Sequence, residues 1–451
     1  MNMKIEFDFG KLFSSLQLKK IPSKIKIHHI LIATLLLHIF VMQFPSDGGM
    51  IFDEVHYIKA ARDTMIGLPA NAEHPPLAKI LYAGSIGFFG DWWFGWRIIP
   101  LICSVLSVAV FYVIARKFFS EKKAVAASAF LAFDTLFFVN MSLALLDPPA
   151  ILFALIGMER FLSKKWKTSA LMFAIAVLMK ETALFILIAV LVWKAVKSVR
   201  KHTIKNKIHL LNFGVFAMVF LAASIGGLQM YDTIYKPTTG TTVAVSVQAN
   251  VVVDSNQQPV TTTTTTITQT LATPIKNAFE HIEFSWKYYT GLVPSINAEG
   301  LDYRPPWGWI LPAENTFNPP HYLTVVTTAG DVTKTAIDWV SMVSPGIAFM
   351  YLPIVIAALW LIRKRENMEL ASLVLVWCLT AYVPWLLLGM FVQRMTFNYY
   401  FIYTIPALCL GIPMFWDAVT KDAKKKTLAV LAQFGVVLVA FAIYFPVVLL
   451  R

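Results

Sequence analysis

The stretch FDEVHYIKAARDTMIGLPANAEHPPLAKI, at residues 52–80, is strongly polar within an otherwise apolar chain. Apolar side chains recur at Val55, Ile58, Ala61 and Met65, the spacing of one helix face, and the glycine at position 67 can end that helix. The spacing predicts a short helix lying at a membrane surface. The Pro-Pro pair at 75–76 then forces the preceding histidine out of helical geometry and favours the start of a second helix.

The composition places the chain among polytopic membrane proteins. Of its 451 residues, 57% are hydrophobic and only 14% charged, values far from those of a soluble globular protein. No cleavable signal peptide is expected, because the first long apolar run follows a basic lead and lacks a small-residue cleavage site. The three cysteines lie in apolar runs, which favours small core residues over disulfides or metal ligands.

Apolar runs long enough to cross a bilayer predict the fold class: an all-α polytopic membrane protein with about eleven transmembrane helices. The runs are 27–44, 97–115, 124–141, 143–161, 168–181, 183–199, 208–230, 345–362, 368–390, 398–416 and 427–450.

The loop charges predict the orientation of these spans. With the N-terminus inside, the inner segments carry 27 of the 39 Lys and Arg residues, as expected for cytoplasmic loops. The C-terminus and the two largest loops then lie outside. The basic excess is explained by topology and anionic lipid headgroups, with no need for nucleic acid.

The runs also predict three regions. Residues 1–230 form an N-terminal transmembrane catalytic module that includes the external loop 45–96. Residues 231–344 form an external loop of mixed α/β or irregular structure, and residues 345–451 form C-terminal transmembrane helices. The Thr-rich segment 238–272 suggests short strands or a flexible insertion, without indicating its role.

The first external loop carries the strongest candidates for chemistry. Asp53 suits the N-cap of the first surface helix, yet the adjacent Glu54 cannot serve merely as a second cap. Glu73 and His74 occupy the stiff corner before the prolines. Lys79 follows one turn later and can either reach a phosphate or extend to lipid headgroups.

Further charges lie near the outer membrane boundary. Asp147 precedes two prolines at the end of a span, where an ionisable residue is costly and usually functional. Arg97, Lys180 and Arg394 lie at the same level, against the positive-inside bias. Cations beside acids favour a site for a lipid-linked phosphate, with a carboxylate as general base toward an acceptor hydroxyl.

Six ordered blocks resemble the protein O-mannosyltransferases and their prokaryotic relatives, within the C-type glycosyltransferase superfamily. They are FDEVHY (52–57), EHPPLAK (73–79), the run from 96 to 119, the run from 133 to 153, VLMKETALF (177–185) and RMTFNYYFIYTIPAL (394–408). The chain departs from the family at Met141 and Ser142, where a Ser-Arg pair is usual, and at Tyr400, where a histidine is usual. It also lacks the trefoil repeats of eukaryotic members, which places it closer to archaeal relatives.

The resemblance implies transfer of a sugar, usually mannose, from a polyprenyl- or dolichyl-phosphate carrier to Ser or Thr hydroxyls of a protein, on the external side and with inversion. It implies Asp53 as the base with Glu54 in support. The phosphate candidates are Arg97, Lys79, Lys180 and Arg394, with Tyr399 and Tyr400 beside them, while His74 and Asp147 orient the substrates. It does not decide between a monomer and a dimer.

Several alternatives remain open at this level. No cofactor is required by the resemblance, although Asp53, Glu73 and Asp147 could together hold a hard divalent metal. Trp307 and Trp309 either stack on sugar or peptide, or anchor the chain at the interface. A lipid or glycan acceptor is not excluded. A transporter or flippase would need charges deep in the membrane, for which Asp134 is the one candidate.

Overall fold

The computed structural model describes residues 25–45, 49–69, 71–200, 207–247, 265–291, 306–310, 321–328, 331–445 and 447–449. Helices dominate these residues and share one large apolar core.

The N-terminal part consists of helices. They are α1 (Ile27–Val41), α2 (Glu54–Met65), α3 (Leu77–Phe89), α4 (Trp93–Arg116), α5 (Glu121–Ala132), α6 (Thr135–Asn140), α7 (Asp147–Leu162), α8 (Trp166–Met179), α9 (Leu184–Arg200) and α10 (Lys207–Tyr235). A 3-10 turn at Glu181–Ala183 separates α8 from α9, and α7 packs against both α4 and α8.

The middle part mixes strands and short helices. Strands β1 (Thr238–Val247) and β2 (Thr265–Pro274) pair antiparallel, and α11 (Ala278–Gly291) follows. After a 3-10 turn at Pro306–Trp309, β3 (His321–Thr328) pairs with β4 (Asp331–Val340), which also pairs with β5 (Val447–Leu449) at the end of the chain. The Thr-rich segment thus supplies the arms of a hairpin.

The C-terminal part is again helical. It contains α12 (Pro345–Ala348), α13 (Tyr351–Lys364), α14 (Met368–Phe391), a 3-10 turn at Asn398–Tyr403, α15 (Ile405–Val419) and α16 (Ala423–Ile443). Helix α14 packs against α9, α13 and α15, so the two helical parts form one bundle.

The length and composition of the helices identify a multi-pass membrane protein. Six helical segments among the described residues can cross a membrane: Trp93–Arg116, Glu181–Arg200, Leu210–Tyr235, Pro345–Lys364, Met368–Phe391 and Ala423–Ile443. Four apolar helices are shorter: Ile27–Val41, Leu77–Phe89, Trp166–Met179 and Ile405–Val419. The predicted helical membrane architecture is confirmed, whereas the predicted count of eleven spans is not.

One reason for this difference is the break in the predicted span 124–141. Asp134 ends α5 and caps α6, since its Oδ1 accepts a hydrogen bond from the Phe137 N–H at 2.9 Å. Its Oδ2 accepts another from the Ser344 N–H at 2.9 Å. Both oxygens therefore hold the backbone, and the charge that could have favoured a transporter has a structural role.

The basic loops gather at one end of the bundle. Lys117, in the α4–α5 connection, donates to Ser163 beyond α7 at 2.7 Å. Lys123 lies 2.6 Å from Asp417 of α15, and Lys197 of α9 pairs with Glu369 of α14. Helix α7 runs from Asp147 toward this basic end, so the acids and cations around Asp147 lie at the opposite end.

Candidate active site

Asp53 lies immediately before α2, as the sequence predicted. Its backbone carbonyl accepts from the His56 and Tyr57 N–H groups at 3.0 and 3.1 Å, but its carboxylate forms no capping hydrogen bond. Burial raises the pKa of Asp53, while the nearby Lys180 and His74 act in the opposite direction. The residue occupies the N-cap position, but its carboxylate does not cap the helix and is available for substrate.

Glu54 points the other way and is completely buried. Its Oε1 accepts from Arg97 Nε and from the Ala144 N–H, both at 2.8 Å, and its Oε2 accepts from Arg97 Nη2 at 2.5 Å and the Ile51 N–H at 2.9 Å. Four donors saturate this carboxylate. Glu54 can support Asp53 only by fixing the start of α2.

Arg97 is buried with it and does not face the cluster around Asp53. Besides Glu54, its guanidinium donates to the carbonyls of Met42, at 3.1 Å, and Phe44. The structure therefore corrects the prediction that Arg97 binds a phosphate: this arginine joins the end of α1, the start of α2 and α4.

Lys79 also bonds to protein groups. Its Nζ donates to the backbone carbonyls of Asn71 at 2.5 Å and His74 at 2.8 Å. Glu73 accepts from the Asn71 side chain at 2.7 Å. Neither the phosphate-binding nor the lipid-facing hypothesis for Lys79 fits a side chain that is 1% exposed. These contacts fix the corner that the two prolines begin.

His74 projects from this corner into the site. Its Nδ1 is hydrogen-bonded to the Tyr289 hydroxyl and lies 3.8 Å from Glu181 Oε2. Its ring also packs edge-on against Tyr57, with centroids 5.7 Å apart. The orienting role predicted for His74 is consistent with this position between α2 and α11.

Asp147 and Lys180 form a buried ion pair beside Asp53. Lys180 Nζ lies 2.8 Å from Asp147 Oδ2, and both side chains are at most 5% exposed. The same Nζ lies 5.3 Å from the centre of the Tyr399 ring. The pair brings the start of α7 and the break after α8 together, and Lys180 is the cation with the largest effect on Asp53.

Arg394 is a predicted cation that keeps donor capacity. Its Nε donates to the Tyr289 carbonyl at 2.6 Å and its Nη1 to the Met395 carbonyl at 3.0 Å. Its Nη2 is buried and has no hydrogen-bond partner in the described structure. The guanidinium lies 5.3 to 5.6 Å from the ring centres of Trp385, Tyr400 and Tyr289. A buried cation in an aromatic enclosure with one unused nitrogen suits an anionic group.

The aromatic residues divide into two groups. Tyr399 and Tyr400 face Lys180 and Arg394 and complete this enclosure. Trp309 is fully buried behind Tyr400, with ring centroids 6.4 Å apart, so neither stacking on a ligand nor interfacial anchoring fits it. Trp307 is 46% exposed and fits the anchoring hypothesis.

Comparison with known proteins gives two kinds of sequence match. Residues 73–225 match the family model described as dolichyl-phosphate-mannose-protein mannosyltransferase. A polyprenol-phosphate-mannose–protein mannosyltransferase of Mycolicibacterium smegmatis is 36% identical over 120 residues, which cover 24% of this chain and 23% of the relative. The aligned part is thus about a quarter of either chain.

The solved structures extend the match over nearly the whole fold. A Saccharomyces cerevisiae protein O-mannosyltransferase Pmt1-Pmt2 complex bound to the sugar donor superposes with a TM-score of 0.64 at 13% identity, covering 93% of this chain and 89% of that one. This chain has the C-type glycosyltransferase fold. The ArnT structure from Cupriavidus metallidurans bound to undecaprenyl phosphate gives a TM-score of 0.54 at 13% identity, over 90% and 62% of the two chains. The predicted resemblance to the protein mannosyltransferases is confirmed.

The metal hypothesis can be tested against the donor set. Within the described residues, no group of three or more His, Cys, Asp or Glu side chains could hold a metal ion. Asp147 is paired with Lys180, and Glu73 is bonded to Asn71. Two of the three carboxylates named from the sequence are thus bonded to protein groups, no step is assigned to a metal, and the possible divalent metal stays a prediction.

Two residues of the site were missed from the sequence. Glu181 follows Lys180 directly, and an acid inside an apolar run could have identified it. Tyr289 lies on α11, and the sequence offered no signal that it would contact both His74 and Arg394.

Helix α11, which carries Tyr289, is held in place by a buried histidine. His281 Nδ1 lies 2.6 Å from Asp232 Oδ1 of α10, and its Nε2 lies 2.8 Å from the Ala72 carbonyl. A carbonyl can only accept, so Nε2 carries a proton. The contact joins α10, α11 and the corner that presents His74.

Proposed function

We propose that the protein is a membrane glycosyltransferase that moves mannose from a polyprenyl-phosphate carrier to Ser or Thr hydroxyls of proteins on the external side. The observation that carries this proposal is that the site contains both a half-buried carboxylate without a capping bond, Asp53, and an unused buried guanidinium nitrogen of Arg394, in a chain whose residues 73–225 match the mannosyltransferase family.

Asp53 and Arg394 suit the two ends of a displacement reaction. The acceptor oxygen forms a bond to C1 of the sugar while the bond between C1 and the phosphate oxygen breaks. Asp53 takes the proton of the acceptor hydroxyl, and its raised pKa makes it a stronger base than an ordinary aspartate. The leaving phosphate keeps the electron pair, and Arg394 Nη2 donates to it.

The Asp147–Lys180 pair supports both ends of this reaction. Lys180 supplies positive charge beside Asp53 and beside Tyr399. Asp147 partly neutralises this buried charge through its ion pair with Lys180. The orientation of the chain follows from the basic loops at the opposite end of the bundle, which favour the cytoplasmic side. The reaction therefore takes place at the external face.

The test uses membranes that contain the protein, labelled polyprenyl-phosphate mannose and a Ser/Thr-rich peptide. Wild-type protein is compared with Asp53→Asn and with the control Asp63→Asn, whose carboxylate pairs with Lys59 at the surface of the same helix. Label in the peptide with wild type and the control, but not with Asp53→Asn, is expected. A wild-type chain that consumes no labelled donor would contradict the proposal.

The fold does not select the acceptor, so a lipid or glycan is the second candidate class. In this alternative the same site transfers the sugar to a lipid or glycan. The assay above separates the two: donor consumption with label recovered in lipid or glycan, and none in the peptide, would favour the alternative.

A further inference from the structure

Glu181 lies where the helical path is interrupted inside the site. Lys180 adopts extended backbone angles between α8 and the 3-10 turn that Glu181 begins. Consecutive side chains therefore diverge: Lys180 turns to Asp147 and Tyr399, and Glu181 turns to His74. The break positions an acid in the cluster that contains Asp53.

Both carboxylate oxygens of Glu181 are buried, and no hydrogen bond of good geometry reaches either of them in the described structure, although the Tyr289 hydroxyl and the His74 ring lie close by. The adjacent cation, Lys180, is already bonded to Asp147, and His74 Nδ1 is 3.8 Å away, beyond hydrogen-bond distance. A buried acceptor that lacks donors costs free energy, so a ligand that supplies them is bound preferentially. By contrast, Glu54 has four donors and needs no ligand.

The position of Glu181 indicates which part of a donor it meets. Tyr289 contacts His74 with its hydroxyl, bonds Arg394 through its carbonyl and lies beside Glu181. His74 in turn packs against Tyr57, whose N–H donates to the Asp53 carbonyl at 3.1 Å. Glu181 is therefore placed between the phosphate end at Arg394 and the acceptor end at Asp53, and the part of the donor that lies between those ends is the sugar.

We propose, resting on the proposed function, that Glu181 binds the transferred sugar by accepting hydrogen bonds from two of its ring hydroxyls. A carboxylate has two oxygens that can each accept from one hydroxyl, and such charge-assisted bonds are stronger than neutral ones. The Tyr289 hydroxyl occupies the space beside His74 and Glu181, and the sugar displaces it by a side-chain rotation that leaves the Arg394 bond to the Tyr289 carbonyl intact.

The experiment compares purified, reconstituted wild type with Glu181→Gln, which keeps the shape and removes the charge. The matched control is Glu283→Gln, an exposed glutamate of α11 paired with Lys287. Donors are polyprenyl-phosphate mannose and its analogues that each lack one ring hydroxyl. The measurements are kcat/KM, the inhibition constant of polyprenyl phosphate without sugar, and the unfolding temperature.

Glu181→Gln is expected to lower kcat/KM for the intact donor about 10- to 100-fold, the range of hydrogen bonds to a charged group. The inhibition constant of sugar-free polyprenyl phosphate is expected to stay unchanged. One or two deoxy donors are expected to be poor substrates of wild type and to lose nothing further in the variant, since the bond is already absent. Glu283→Gln is expected to behave as wild type.

Three results would overturn the inference: normal transfer by Glu181→Gln, an equal loss on every deoxy donor, or weaker binding of sugar-free polyprenyl phosphate. The second would show a purely structural role, which a matched fall in unfolding temperature would also reveal. A wild-type chain that consumes no donor at all would overturn the proposed function, and this inference with it.

Discussion

Arg97 and Arg394 are both buried arginines near the same end of the bundle, yet they lie in different surroundings. Arg97 bonds Glu54 with two nitrogens and backbone carbonyls with the third. Arg394 keeps Nη2 unpaired, within an enclosure of aromatic rings. A saturated buried ion pair thus fixes the loops around it, while a charge with an unused donor remains available to a substrate.

The adjacent acids allow the sharpest test of this comparison. Asp53→Asn is expected to lower transfer about 10²- to 10⁴-fold, the range attributed to a general base, because an amide cannot accept the proton. The unfolding temperature should stay at the wild-type value, since the carboxylate forms no capping bond. The measurement is labelled sugar transfer together with thermal unfolding in detergent, and normal transfer would remove Asp53 as the base.

Glu54→Gln should show the reverse pattern. Its charge is balanced by Arg97, and breaking a buried ion pair at one partner costs about 3–5 kcal/mol of folding stability. We expect a lower unfolding temperature and less folded protein, with transfer per folded molecule largely retained. A stable but inactive Glu54→Gln would contradict the separation between the two acids and make Glu54 part of the chemistry.

The local structure of the first loop could be predicted because it depends on neighbouring residues. The helix between the predicted limits 53 and 67 and the second helix after the prolines both form, as α2 and α3. The buried face of α2 was predicted only in part: Ile58 and Ala61 are buried, but Val55 and Met65 are about half exposed. Exposed apolar side chains on a helix at the membrane surface can face lipid, so a helical period alone does not identify the protein-facing side.

The sequence could not predict which charged residues have structural roles and which remain available to a substrate. Glu54 and Arg97 are 43 positions apart and meet only in the folded bundle. Lys79 and Arg394 were both phosphate candidates, with Arg394 the better placed, but nothing in the sequence indicated that the carbonyls of Asn71 and His74 would occupy Lys79. The number of hydrogen-bond partners of a buried charge depends on tertiary contacts, which a sequence pattern does not specify.

Arg394→Lys tests the substrate side of the comparison. A lysine cannot present a planar set of donors to Tyr289 and to a phosphate at once, so the KM for the donor should rise about 10- to 100-fold. The control is Arg62→Lys, which alters an exposed pair with Asp91 and should leave the KM unchanged. An unchanged KM in Arg394→Lys would show that the phosphate binds elsewhere.

The acid limb of the pH profile depends on Asp53. The base must be ionised, so the rate should fall as the pH drops through its pKa. Because burial raises that pKa, the fall should begin above the range of an ordinary aspartate, about 3.9. Lys180→Gln removes the cation that opposes the rise and should move the limb to still higher pH, as measured by kcat/KM against pH. An unchanged acid limb in Lys180→Gln would show that Lys180 does not influence the ionisation of Asp53.

Trp307 gives the smallest expected effect, and its contrast with Trp309 extends the same comparison to uncharged residues. Trp307 is 46% exposed, so Trp307→Ala should change stability by no more than about 0.5 kcal/mol and peptide transfer by about twofold or less. Trp309 is fully buried against Tyr382, Tyr400 and Phe401, so Trp309→Ala should cost about 3–5 kcal/mol. Thermal unfolding and the KM for the peptide measure both. A tenfold rise in the peptide KM of Trp307→Ala at an unchanged unfolding temperature would instead mean that Trp307 stacks on the acceptor. Trp307 would then be a substrate-binding residue, as Arg394 is.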